Sequence, residues 1–163
     1  MTNLSRLLRI EDRRIGRCDM GSSITGFVAL LPPSVNEMYV YTTRGPRPSA
    51  KMKKFKAAAT MEILKGLDFN QEPLQKDTGY RLSLYFYMPS LFNKGYPKKA
   101  KTKYKRRDVT NLVKVFEDLL CDVYGIDDSA FLEVALRKMH GPKYDKVGVS
   151  YRIEELEDLS NEG

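Results

Sequence analysis

Histidine and cysteine are scarce in this sequence, which has one histidine, His140, and two cysteines, Cys18 and Cys121. No Cys/His cluster with the spacing of zinc ligands exists, so zinc chemistry is not expected. A Ser-His-Asp triad is also not expected with one histidine. Cys121 lies within an apolar helical pattern and is interpreted as a buried thiol rather than half of a disulfide bond.

Two further absences exclude other classes of protein. No glycine-rich phosphate-binding loop is present, which argues against an NTPase and against a nucleotide cofactor. The longest apolar run, Phe27 to Pro33, is far too short to span a bilayer, and the N-terminal residues contain no apolar signal core. We therefore expect a cytoplasmic protein with no membrane partner.

Positive charge is in excess. The chain has 163 residues, a net charge of +7 and a pI of about 9.3, and 42% of its residues are hydrophobic. This length and composition predict one folded domain, over residues 23–156, between a basic tail at 1–22 and an acidic tail at 157–163. The charge favours a polyanionic partner, nucleic acid before an anionic membrane.

Hydrophobic periodicity predicts an α+β fold. Ser49 is a plausible N-cap for the first long helix, and residues 34–48 are predicted to be a loop. The predicted elements are a strand over 24–31, a helix over 49–67, a strand over 81–88, a helix over 109–123, a strand over 130–139 and a strand over 147–153. In the strand over 130–139, the inward side chains would be Leu132, Val134 and Leu136. The order is β-α-β-(basic loop)-α-β-β, with the last two strands as a hairpin, a mixed sheet, and helices on one face.

A lysine-rich loop over residues 90–107 contains no acidic residue. Its cations are Lys94, Lys98, Lys99, Lys101, Lys103, Lys105, Arg106 and Arg107. Tyr96 and Tyr104 lie between them and could stack on an unpaired base. A flexible, solvated loop is the alternative, but DNA contact is favoured because no acid dilutes the positive charge.

Acidic residues cluster around the second predicted helix: Asp108 before it, Asp118 on its polar face, and Asp127 and Asp128 after it. The helix is about 20 Å long, so a single site requires the chain after it to fold back. Converging carboxylates would suit Mg²⁺, with Mn²⁺ able to substitute, and phosphodiester hydrolysis. Lys114, on the same helical face, could stabilise charge in the transition state or orient the attacking water.

Each acidic residue also has a structural interpretation. Asp108 could be only a helix N-cap, and Asp127 and Asp128 could be only turn residues. Asp118 could be solvated, or could pair with Lys114 four residues earlier. Only the combination of these positions with the basic loop indicates a nuclease site.

The sequence resembles the RusA-like Holliday junction resolvases from about Phe27 to Glu154. The core of the resemblance is the family pattern Asp-x-Asp-Asn-x-x-Lys, followed by an acidic residue one helical turn later, with Thr110 in place of the second Asp. The matching segments are 31–36 (Leu-Pro-Pro-Ser-Val-Asn), 88–89 (Met-Pro), 106–114 (Arg-Arg-Asp-Val-Thr-Asn-Leu-Val-Lys), 117–120 (Glu-Asp-Leu-Leu), 127–128 (Asp-Asp) and 138–139 (Lys-Met).

The resemblance implies a homodimer that binds four-way or other branched DNA and makes paired nicks with Mg²⁺. It implies that Asp108 and Asp128 are metal-binding catalytic carboxylates, that Lys114 is the catalytic lysine, and that Asp127 is an adjacent metal-binding acid. Asn111 and Asp118 would support the site, and Lys138 would join the basic loop in contacting DNA. A two-fold dimer suits such a substrate, because each protomer can face one of two opposed strands.

Thr110 departs from the family pattern, because it occupies the position of the second catalytic aspartate. Threonine offers a neutral oxygen, so metal affinity should fall unless Asp118 or Asp127 compensates. An alternative function is therefore a branched-DNA-binding module with weak or no cleavage. A small basic scaffold without a DNA role is the third hypothesis, and it predicts no salt-dependent junction binding.

Overall fold

The structure is a computed structural model, and it describes residues 23–68, 70–105 and 109–156. The expected tails, 1–22 and 157–163, lie outside the described residues, as do Arg106, Arg107 and Asp108. The described strands are β1 (Ser23–Val28), β2 (Tyr39–Thr42), β3 (Gly45–Pro48), β4 (Tyr80–Met88), β5 (Phe131–His140) and β6 (Gly148–Glu155). The described helices are α1 (Val35–Met38), α2 (Ala50–Gly66), α3 (Thr110–Tyr124) and α4 (Gly141–Tyr144).

Four strands form a mixed sheet in the order β1-β6-β4-β5. Strand β6 pairs antiparallel with both β1 and β4, whereas β4 pairs parallel with β5. The register aligns apolar side chains in rows across one face, as in the row formed by Ile24, Ile153 and Leu82. Gly26 leaves room for Tyr151, because a Cβ at this position would lie within 2.5 Å of three atoms at the end of the tyrosine side chain.

Helices α2 and α3 cover these apolar rows and complete a single core. Helix α2 begins as expected, with the Ser49 hydroxyl accepting a hydrogen bond from the Met52 amide at 3.1 Å. It buries Met52, Phe55, Ala59 and Ile63. Helix α3 buries Leu112, Val113, Val115, Phe116, Leu119 and Leu120. The α+β class and the mixed sheet expected from the sequence are therefore confirmed.

The expected hairpin of the last two strands is wrong. Strands β5 and β6 are separated by β4, which pairs with both. Helix α4 and the turn after it, with Asp145 and Gly148 at positive φ, carry the chain from one side of β4 to the other. Both strands still pair with β4, one along each of its two edges.

The side chains expected to face inward from β5 are not buried. Val134 and Leu136 pair with Leu82 and Leu84, which places them on the helix-covered face of the sheet. They are nevertheless 41% and 37% exposed, and Leu132 is 52% exposed. The reason is that β5 is an edge strand that the two helices do not reach. The alternation of residues therefore predicted which side of the sheet these side chains are on, but not how deeply they are buried.

Residues 34–48 do not form the expected loop, because they contain α1 and a two-stranded hairpin of β2 and β3. The first strand is also shorter than expected and ends at Val28, with Leu30 and Leu31 packed against the core outside it. Among the described residues, no helix is both long and apolar enough to cross a membrane.

Candidate active site

Lys114 of α3 lies at the centre of a small group of charged side chains. Its Nζ donates to Oδ2 of Asp128 at 2.7 Å and is 3.2 Å from Oδ1 of Asp118. The Asp118 contact is the i,i+4 pairing that the sequence allowed. Asp128, fourteen residues after Lys114, reaches it only because the chain reverses direction at the end of the helix.

The reversal at the end of α3 follows from the local sequence. Gly125 caps the helix in the left-handed conformation, with φ of 68°, which glycine adopts without steric cost. The next residue, Ile126, is buried in the core, and its burial directs the chain back along the helix. Asp127 then caps a 3-10 turn (Asp128–Ala130), accepting from the Ser129 amide at 3.0 Å. Asp127 therefore has a structural role as a turn residue, whereas the side chain of Asp128 contacts Lys114.

An open cleft lies beside this turn. It is lined by Lys56, Asp118, Cys121, Asp122, Ile126, Asp127 and Asp128. The four carboxylates outnumber Lys56 and Lys114, so the cleft has negative potential on a chain that is basic overall. Such a cleft attracts cations. Lys56 and Asp122 were not singled out for the site from sequence, although Asp122 lies four residues after Asp118 and so shares its helical face.

The carboxylates of the cleft suit a hard divalent cation, which prefers oxygen ligands. Within the described ranges, however, no three His, Cys, Asp or Glu side chains lie close enough together to hold a metal ion. A metal ion bound at Asp128 would therefore need further oxygen ligands, such as substrate phosphate. The family-implied ligand Asp108 lies outside the described residues, immediately before Val109, the N-cap of α3.

Electrostatic interactions keep Lys114 charged. Its hydrogen bond to Asp128, together with the one to Asp118, raises the pKa of Lys114 above its usual value. Hydrogen bonds from Ser129 lower the pKa of Asp127. Burial raises the pKa of the Cys121 thiol to about 11, which argues against a role for this thiol as a nucleophile or metal ligand at neutral pH. At neutral pH the Lys114 ammonium is therefore protonated and the Asp127 carboxylate is ionised.

The described part of the basic loop, residues 90–105, has a regular hydrogen-bonded frame. Asn93 connects its two sides, with the backbone amide donating to Lys103 and the side-chain amide donating to the carbonyls of Thr102 and Tyr104. The Phe92 ring packs against Tyr104 and against His140, at centroid distances of 5.6 and 5.0 Å. The loop is therefore anchored to the end of β5.

The lysines of this frame face solvent. All six are exposed, and none forms an ion pair with another described residue: Lys94, Lys98, Lys99, Lys101, Lys103 and Lys105. Tyr96 and Tyr104 are 47% and 53% exposed. The ammonium groups of these lysines and the rings of Tyr96 and Tyr104 are therefore accessible to a polyanion.

The remaining candidate residues are on α3 and β5, outside the basic loop and the contacts of Lys114. Thr110 is the first residue of α3, and both it and Asn111 are exposed on the first turn before Lys114. Lys138 is half-buried on β5, paired with Phe86 of β4. The structure therefore brings Lys114, Asp118 and Asp128 into contact.

Curated proteins include no sequence that matches the chain. The family model described as Endodeoxyribonuclease RusA matches residues 31–152, which is most of the chain and includes the whole of the acidic cleft. The chain therefore belongs to the RusA endodeoxyribonuclease family.

Proposed function

We propose that this protein is a Mg²⁺-dependent endonuclease that resolves Holliday junctions and related branched DNA during recombination and repair. One observation carries the proposal: in a RusA-family chain, the ammonium group of Lys114 contacts Asp118 and Asp128, two carboxylates that line an acidic cleft. Nucleases of this family generally depend on a divalent metal ion, which supports a metal role for the carboxylates.

The carboxylates would hold the metal ion. Asp108 and Asp128 are the proposed principal ligands, and Asp127 is the proposed adjacent ligand. When bound, Mg²⁺ would activate water and neutralise charge on the phosphate, with Mn²⁺ able to substitute. Asp118 would hold Lys114 in place, since it already contacts the ammonium from one helical turn away.

Lys114 would act as a cation rather than as a base. Its raised pKa means that it is protonated at neutral pH and cannot accept a proton from water. Its side chain is 60% exposed, so the ammonium can donate to a phosphate oxygen in the cleft while Asp118 still contacts it. A donor positioned in this way stabilises the negative charge that develops on the phosphate oxygens.

The basic loop would bind the backbone of the branched substrate. It ends directly before Asp108 in the chain, and its six exposed lysines are free of ion pairs with other described residues. Phosphate contacts of this kind position a DNA strand without reading its sequence. Arg106, Arg107 and Lys138 are proposed to extend this surface toward the cleft.

A homodimer is part of the proposal, and the exposed edge of the sheet supports it. Leu132, Val134 and Leu136 form an apolar strip on β5, whose outer edge has no strand partner among the described residues. Exposed apolar edges invite pairing with another chain. A second copy paired across β5 by a two-fold axis would place the two strips side by side and give two active sites, as paired cuts require.

The test is cleavage of a mobile four-way junction, compared with a linear duplex containing the same sequences. We expect paired nicks in the junction alone with Mg²⁺, and none with EDTA. Asp128→Asn should lower the cleavage rate by about 100-fold or more, since it removes a metal ligand and the partner of Lys114. The matched control is Asp77→Asn, an exposed aspartate outside the cleft, which should cleave like the wild type.

The melting temperature separates catalysis from folding. Asp128 is half-exposed, and ion pairs of this kind contribute little to stability, so Asp128→Asn should shift the melting temperature by no more than about 3 °C. Unchanged cleavage by Asp128→Asn would refute the assigned site. Equal cutting of junction and duplex would refute the substrate.

A binding module with weak or no cleavage is the second candidate function. It is favoured by Thr110, which places a neutral side chain on the exposed first turn of α3, four residues before Lys114. Under this hypothesis the wild type binds junctions tightly and cuts them poorly, and Thr110→Asp increases cleavage strongly. If the wild type already makes paired nicks at a rate that Thr110→Asp does not raise, the binding-module hypothesis is wrong.

A further inference from the structure

Residues 39–48 form a two-stranded hairpin, here called the aromatic hairpin, that projects from the domain. Strands β2 and β3 pair from Tyr39 with Pro48 to Thr42 with Gly45. Its base is fixed by Met38, which is buried in the core and whose carbonyl accepts from the Ser49 amide at 2.8 Å. Its side chains are exposed along almost its whole length, so it is a protruding element rather than a part of the core.

The two faces of the aromatic hairpin differ. Because side chains alternate along a strand, Tyr39 and Tyr41 share one face with Pro46 and Pro48, their cross-strand partners. Tyr41 is 84% exposed, the highest value among the large apolar and aromatic side chains of the described residues. Aromatic and proline rings thus form a solvent-facing platform of the kind on which unpaired bases stack.

Positive charge accompanies these rings. Residues 38–61 contain six cations and no acidic residue. Arg44 is in the turn of the hairpin and Arg47 is on the face opposite the tyrosines, and both are exposed. Neither arginine pairs with a carboxylate of another described residue. The combination of exposed rings and unneutralised arginines is complementary to a nucleic acid backbone with accessible bases.

Helix α2 connects the aromatic hairpin to the acidic cleft over a path of about 20 Å. Ser49, at its base, is the N-cap of α2, and Lys56 of the same helix lines the cleft. Seven residues of helix separate them, which is about 10 Å. Tyr41 lies a further three strand residues from Met38, also about 10 Å. A DNA strand in the cleft would therefore pass within a few nucleotides of the hairpin.

We propose that the aromatic hairpin is a second DNA-binding element, in which Tyr39 and Tyr41 stack on unpaired bases at the branch point while Arg44 and Arg47 bind the flanking phosphates. The inference rests on the proposed function, because it takes branched DNA to be the substrate. It assigns recognition of the branch to this hairpin and leaves contact with the duplex arms to the basic loop.

Addition of a partner protein's strand to the β3 edge of the hairpin is disfavoured. The Ser49 amide bonds to Met38, so the amides of alternate residues on β3 point toward β2. Pro46 and Pro48 therefore occupy the outward positions, where they offer no N–H group. Proline at such positions prevents another strand from adding to this edge.

The test compares Tyr41→Val with Tyr41→Phe by fluorescence anisotropy, using a four-way junction and a linear duplex. Valine keeps the strand preference and removes the ring, and should weaken junction binding by at least about fivefold with little change for the duplex. Phenylalanine keeps the ring and should restore junction affinity. Met61→Val, which alters an exposed apolar side chain on α2 outside the hairpin, should not affect either substrate.

A second measurement uses the junction with photoreactive 5-iodouracil at the branch point. We expect crosslinks to the peptide containing Tyr39 and Tyr41, and none when the same base lies in the middle of an arm. Arg47→Gln should weaken binding to the junction, with little change for the linear duplex, and should reduce the salt slope of junction binding by about 1.

The outcomes distinguish this proposal from the proposed function. If the wild type prefers the junction and Tyr41→Val binds it equally well, the hairpin proposal is refuted while the resolvase proposal stands. Crosslinks that are equal at branch and arm would also refute the hairpin proposal. If the wild type shows no preference for the junction, both proposals fail.

Discussion

Neutralising four lysines of the basic loop should flatten the salt dependence of junction binding. The four residues to be replaced with glutamine are Lys98, Lys99, Lys101 and Lys103. All of them are exposed, and none forms an ion pair with another described residue, so each is available for a phosphate. The loop should keep its shape, because its frame is held by backbone groups and by Asn93, which are not altered.

The size of the effect follows from counterion release. Each phosphate contact contributes about 0.9 to the slope of log K against log salt, so losing four contacts flattens the slope by up to about 3.6. Between about 50 and about 200 mM KCl, wild-type affinity should therefore fall up to about 150-fold further than that of the variant. Residual cutting at high protein concentration should remain, since the cleft is unchanged.

The assay is fluorescence anisotropy with a labelled four-way junction, repeated at four or more salt concentrations. The control is the double variant Lys65→Gln with Lys76→Gln, which removes two exposed cations outside the loop, the cleft and the aromatic hairpin. Its slope should match the wild type. If the loop variant changes the slope by less than about 1, or no more than the control does, the assignment of this loop to DNA is wrong.

Three further predictions address assembly and stability. Leu136→Asp places a charge on the exposed strip of β5 and should give a monomer by light scattering, with single nicks replacing paired cuts; a folded variant that remains dimeric would exclude this edge as the interface. Phe116→Ala removes a fully buried ring and should reduce the free energy of unfolding by about 3–5 kcal/mol in urea denaturation; a loss below about 1 kcal/mol would mean that α3 does not pack as described. Hydrogen bonds from Lys51 and Ser34 lower the pKa of Glu37 to about 2, so the stabilising effect of Glu37 is present above pH 4.5 and is lost as the pH falls toward 2. Glu37→Gln should therefore show a smaller fall in melting temperature than the wild type over this pH range. If the two proteins show the same fall, the pairing of Glu37 with Lys51 and Ser34 is contradicted.

The sequence alone predicted the elements whose patterns are local. Ser49 marked the start of α2, because an N-cap acts within its own helical turn. Alternation identified the core face of β4, and the 3.6-residue period identified the buried face of α3. The family resemblance was also predicted from ordered short motifs, and the family match confirms it.

The sequence did not predict the hairpin of β2 and β3, because this segment lacks a hydrophobic pattern. Residues 39–48 contain Gly45, Pro46 and Pro48 and no buried side chain, so nothing in their periodicity indicated strands. Backbone pairing between β2 and β3 holds this segment together without a core, and such pairing leaves little trace in composition.

Only the tertiary structure decided which strands are neighbours, how deeply β5 is buried, and which charged groups meet. The order β1-β6-β4-β5 depends on competition for the two edges of β4, which no local pattern records. The same order leaves Leu136 at an open edge, although its alternation is that of a core strand. Asp128 meets Lys114 because Gly125 and the burial of Ile126 reverse the chain, and contacts between residues fourteen positions apart depend on that packing rather than on spacing.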